Sequence, residues 1–143
     1  MSNGVKVRMN WLRGMYVYTI VGAGAFGLGM LTIPGVVKSL FGWQIAEPVF
    51  FGVVGSVYLA FGLLSILGLR SPVKFSPVLL LQLCYKSLWF IGVALPLVVT
   101  AQFPAYAIVL IVIFATYIVG DIIAIPFSYL FGREDGQVGL SKT

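Results

Sequence analysis

MYVYTIVGAGAFGLGM, Met15 to Met30, is the stretch on which the fold turns. Gly22, Gly24 and Gly27 match G-x-G-x-x-G, the strand-like run Tyr16 to Ile20 precedes them, and Glu47 stands about twenty residues on, where a ribose-binding acid belongs. That fingerprint works in a soluble parallel sheet whose helix runs on from the third glycine. Here Pro34 follows within a few residues, and the next element is again apolar. A membrane helix explains the pattern better. Gly22, Gly24, Gly27 and Gly29 make one side of it thin, so that a neighbouring backbone can approach closely.

Composition supports lipid as the solvent. Of 143 residues, 60% are hydrophobic and 9% charged, with a mean hydropathy of +1.06. Soluble domains carry roughly 25% charge, and a domain this small leaves too much surface in water to hide such a load. No Asp, Glu, Lys or Arg lies between Arg13 and Lys38, between Glu47 and Arg70, or between Lys86 and Asp121. A spanning helix needs about 20 apolar residues. Four spans are expected, at about 15–33, 48–69, 76–99 and 104–130, in one all-α membrane domain covering 1–143. Lys6, Arg8 and Arg13 with Ala23-Gly24-Ala25 imitate a cleaved signal peptide, but the apolar run continues too far for one.

Basic residues mark the cytoplasmic side. Lys6, Arg8 and Arg13 precede the first span, Arg70 and Lys74 separate the second from the third, and Arg133 and Lys142 follow the fourth. Lys38 is alone on the other face. The expectation is a plasma (inner) membrane protein with both termini cytoplasmic. Its charge of +5 then anchors the inner leaflet and does not signal nucleic acid. Trp11, Phe75, Tyr129 and Phe131 fall near one interface, and Phe41, Trp43, Phe103 and Tyr106 near the other. In the first outer loop Val36, Val37, Leu40, Phe41 and Ile45 alternate with Lys38, Ser39 and Gln44, predicting a short amphipathic helix. Pro104 suits a first helical turn, and Glu47 before Pro48 suits a helix start.

Ionisable groups inside a membrane are costly and face the bundle interior. Lys86 lies about ten residues from the cytoplasmic end of its span, and Asp121 about as far from the end of a span closing at 130. At 1.5 Å per residue both are about 15 Å deep, which predicts an ion pair. Gln82 and Trp89 flank Lys86 at helical spacing, Tyr117 and Ser128 share a face with Asp121, and Tyr58 lies at similar depth, with Gly55, Gly62 and Ser65 on its face. These residues are expected to fix helix register, to serve a ligand head group, substrate or proton, or to contact another subunit. Gly55 and Gly62 also offer a thin packing surface. Pro126 removes a hydrogen bond from the carbonyl of Ile122 and is expected to bend a helix near its end.

Cys84 stands alone and the chain has no histidine. The commonest metal ligand and general base are therefore missing; no metal, no cofactor and no catalytic residue are expected.

The block FGVVGSVYLAFGLLSILGLRSP, Phe51 to Pro72, resembles the second span of DoxX-like small membrane proteins, and the preceding IPGVVKSLFG and four-helix layout fit the same family. The resemblance covers roughly residues 20–130 and implies a four-helix membrane bundle. Some relatives are associated with quinone or thiosulfate oxidation; without a cysteine or histidine constellation, that chemistry is not carried over. The leading expectation is a small binding or accessory protein that holds an apolar ligand, of lipid or quinone type, with its head group at the polar cluster. A structural subunit of a larger membrane complex and an oligomeric transporter or proton pathway are the rivals. The bilayer is a partner in each.

Overall fold

The chain, as a computed structural model, is described over residues 6–43 and 47–132. Gln44 and Ile45 of the outer loop, and Arg133 and Lys142 of the charge pattern, lie outside the described residues. Among the described residues, four helices are long and apolar enough to cross a membrane: α1 (Met9–Thr32), α3 (Pro48–Arg70), α4 (Ser76–Val99) and α5 (Ala105–Ala124). Between the first two sits the short α2 (Pro34–Phe41), and after α5 a single turn, α6 (Phe127–Leu130). Every described element is helical.

Two boundaries differ from the sequence reading. α1 starts at Met9, six residues before 15, because its amphipathic spacing continues upstream of the apolar run. Its charged Arg13 stays exposed while Leu12, Met15, Tyr16 and Thr19 are buried at helical spacing. α5 stops at Ala124, six residues before 130. Pro126 drives the residue before it out of the helical region, and Ile125 has φ −68° and ψ 127°. Ser128 lies beyond this break and is exposed, so it does not join the face of Asp121.

Elsewhere the local chemistry explains the elements. Glu47 caps α3: its carboxylate accepts from Val49 N at 3.1 Å and Phe50 N at 2.8 Å, with Pro48 first in the helix. Those two N–H groups, Phe50 foremost, hold the Glu47 carboxyl below the usual carboxylate range. α2 ends on Gly42, whose φ of 65° is easily reached without a Cβ. The tight turn after α4 uses Ala101 at φ 55°, and Pro104 sits just before α5 in extended conformation rather than inside its first turn.

α1 organises the bundle. It packs along its whole length on α3, whereas α5 packs on its first half, Met9–Thr19. α4 sits against α5 and, less extensively, α3. Two wide π-helical turns interrupt the spans, Ile20–Gly24 in α1 and Phe90–Ala94 in α4. The second lies just before Pro96, whose ring would otherwise crowd the carbonyl one turn back.

The α1–α3 seam is a backbone contact. A Cβ on Gly62 would fall 2.5 Å from the Gly24 Cα, and one on Gly27 would lie 2.6 Å from the Gly55 carbonyl oxygen and overlap the Leu59 nitrogen. The four glycines of the opening stretch do not form one thin side. Gly24 and Gly27 face α3, Gly29 faces Val37 of α2, and Gly22 faces Tyr117 of α5.

Candidate functional site

A cluster of buried polar side chains lies on the termini side of the bundle. Thr19 of α1, Gln82 of α4 and Asp121 of α5 are all fully buried. The Gln82 amide donates to Thr19 Oγ1 and to Asp121 Oδ2, each at 3.2 Å, and Thr19 donates to the Met15 carbonyl at 2.8 Å. One amide thus ties three helices together. Gln82 Oε1 and Asp121 Oδ1 have no hydrogen-bond partner among the described residues.

Lys86 lies one turn further along α4 and is 1% exposed. It is not hydrogen-bonded to Asp121. Its Nζ donates to Tyr85 OH at 2.8 Å and sits over three rings: Tyr117 at 4.1 Å, Tyr85 at 4.5 Å and Phe114 at 5.3 Å from the centroids. Such contacts are attractive for a desolvated cation. The expected contact, direct or through one intervening polar group, rested on equal depth. Because α5 ends at Ala124, Asp121 is about 5 Å from its helix end while Lys86 is about 15 Å from Ser76, so Asp121 meets Gln82 instead.

Beyond Lys86 the helices part. From Ile20 onward α1 leans on α3, and a cavity of about 320 Å³ opens between α1 and α5. Lys86, Tyr85 and Tyr117 form its deep end; Tyr58 stands at its wall, and Phe26 and Phe41 close it towards α2. Tyr18, Leu110 and Ile113 flank the gap between α1 and α5. Phe26 and Phe41 pack edge-to-face with centroids 5.1 Å apart, and Phe26 meets Tyr58 at 5.8 Å. At the point of divergence the Tyr18 and Tyr117 rings stack at 4.3 Å. The Tyr117 hydroxyl donates to the Tyr18 carbonyl at 3.1 Å, and Tyr18 OH shares a hydrogen bond with Thr116 at 2.8 Å. The bare Cα of Gly22 makes room for that hydroxyl.

Of the residues singled out from sequence, Lys86, Tyr58 and Tyr117 line the cavity with Gly22. Gln82 and Asp121 form the separate polar cluster behind it. Trp89 packs edge-on against Phe114 at 5.1 Å and is not part of the lining. Gly24, Gly27, Gly55 and Gly62 belong to the seam. Sequence reasoning passed over Thr19, Tyr18, Tyr85 and Phe114. For Thr19 the signal was present, since it continues the Leu12, Met15, Tyr16 spacing as the one polar member. Tyr16 was also passed over; its hydroxyl donates to the Pro72 carbonyl at 2.7 Å and ties α1 to the α3–α4 loop.

Neither a family model, nor a curated protein, nor a solved structure matches this chain.

Proposed function

We propose that the chain is a DoxX-like multi-pass protein of the plasma (inner) membrane, with both termini cytoplasmic, that binds an apolar ligand of lipid or quinone type inside its bundle. The observation that carries this reading is the aromatic cavity with one buried amine at its deep end. Pockets for small molecules are mostly apolar with a few convergent polar groups, and an ionisable group at membrane depth is by default a functional hypothesis. The polar cluster of Thr19, Gln82 and Asp121 fixes the helices behind the cavity, and the amine meets the ligand's head. The excess of basic residues on the termini side supports the orientation.

Native mass spectrometry of the protein released from mild detergent tests the reading. The expected result is a monomer or oligomer carrying a small molecule of lipid size. Protein that carries a partner chain or copies of itself, and no small molecule, replaces it with the structural-subunit reading.

A further inference from the structure

The geometry points to a single-chain amphiphile with a carboxylate head as the occupant of this cavity, its carboxylate on Lys86 Nζ and its tail leaving between α1 and α5. The inference rests on the proposed ligand-binding reading and adds the chemistry of the head and the number of chains.

The head group follows from what Lys86 lacks. An ammonium carries three donors. One goes to the neutral Tyr85 hydroxyl, and no carboxylate among the described residues accepts the others. Ring faces attract the charge without neutralising it. Asp121 attracts the ammonium through space, but it takes its hydrogen bond from Gln82 and is not part of the cavity lining. A buried charge is tolerated when paired and hydrogen-bonded. Two free N–H groups match the two oxygens of a carboxylate. An alcohol or ester head would accept hydrogen bonds but bring no charge to an ammonium that Asp121 attracts only through space.

The chain number follows from size and exit. At a liquid-water share of about 30 Å³ per molecule, a cavity of about 320 Å³ holds roughly ten non-hydrogen atoms, enough for a carboxylate and the first carbons of one chain. The gap flanked by Tyr18, Leu110 and Ile113 opens beyond the stacked Tyr18–Tyr117 pair, where α5 no longer packs on α1. The rest of a chain leaves there into the bilayer. A phosphodiester with its glycerol and the two ester groups that begin a pair of chains exceeds that number of atoms.

The test is binding of radiolabelled laurate to the protein in nanodiscs of neutral phosphatidylcholine, with dodecanol and dodecyl phosphate as competitors of equal chain length. Laurate should bind at least tenfold more tightly than either, and Lys86→Met should abolish that advantage. Leu110→Trp, which narrows the gap without touching the amine, should weaken laurate at least tenfold while cooperative melting is retained; it keeps the test open if Lys86→Met does not fold. Dodecanol competing as well as laurate overturns the carboxylate and leaves the apolar-ligand reading standing. Tighter binding of dodecyl phosphate overturns it in favour of a phosphate head. Full laurate binding by either variant overturns the placement. No binding of any of the three overturns the inference and the reading beneath it together.

Discussion

α1 packs by two different rules on its two sides. Towards α3 it presents Gly24 and Gly27, and the partner presents Gly62 and Gly55, so that backbone meets backbone. Towards α5 it presents Tyr18 and Gly22, and the partner presents Tyr117, so that side chains meet and the helices diverge beyond them. Both sides contain glycine, and a glycine alone does not say which rule applies. What decides is the neighbour: a second glycine closes the seam, whereas an aromatic side chain fills one notch and props the rest apart. In lipid, where burying apolar surface gains little, the closed seam is held by packing. The propped side gives up that packing and gains a cavity.

The closed side should therefore be the least forgiving. Gly24→Leu and Gly27→Leu are each expected to destabilise the protein by at least the ~1–3 kcal/mol typical of overpacked cores, because what a side chain meets there is backbone. Leu31→Ile on the same helix should stay within about 0.5 kcal/mol. Thermal unfolding in detergent reads all three. If both leucine variants melt like the parent, the two faces of α1 do not differ in kind.

The next effect lies in the polar cluster, which holds α1, α4 and α5 together where the propped side begins. Gln82→Leu removes the one side-chain donor to Asp121 among the described residues, and a buried acceptor left without a partner costs about 1–3 kcal/mol. Combining Gln82→Leu with Asp121→Leu removes both partners, so the double variant should recover part of the loss, with a coupling within the ~0.5–3 kcal/mol seen for contacting residues. A cycle built on Lys86→Met and Asp121→Asn should give a smaller coupling, since those two share no hydrogen bond and attract each other only through space. The reverse order would place Lys86 on Asp121 and take it out of the cavity.

A third test compares small side chains on the two faces. Tyr117→Phe should cost about 1 kcal/mol for the lost bond to the Tyr18 carbonyl. It should also rescue much of the damage done by Gly22→Ala, whose new methyl group runs into that hydroxyl. Gly27→Ala has no comparable partner to remove and should cost more than Gly22→Ala. Equal costs, or no rescue, would show that the Tyr117 side is as rigid as the seam.

The sequence carried the four spans because charges are excluded from hydrocarbon, and gaps between charges need no knowledge of packing. It carried the glycine contacts in kind, though not their directions: the neighbours of Gly22 and Gly24 depend on helix rotation, which a wide turn at Ile20–Gly24 resets. The link between Gln82 and Asp121 was hidden by a boundary. Counting depth from 130 instead of Ala124 moved Asp121 one to two turns towards Lys86, although Pro126 marked the stop. The cavity was not legible at all, because it arises where α1 and α5 part, and divergence is a property of the pair.

The smallest effect concerns the start of α3. If the seam is set by backbone shape along Gly55 and Gly62, the cap at Glu47 should contribute locally and leave the seam intact. The Glu47 carboxyl titrates below its usual value because Phe50 and Val49 donate to its charged form. Its stabilising effect is therefore complete above the unfolded carboxylate's pKa of about 4.3. It declines as pH falls through the lower folded value, where the unfolded chain has already bound its proton. The melting difference between the parent and Glu47→Ala should be smaller at pH 7 than that of Tyr117→Phe, and should shrink further as the pH drops below 4. A loss at pH 7 as large as that of Gly27→Leu would mean that the cap sets the register in which Gly55 meets Gly27, and that the closed side of α1 depends on a hydrogen bond at the membrane edge as well as on glycine.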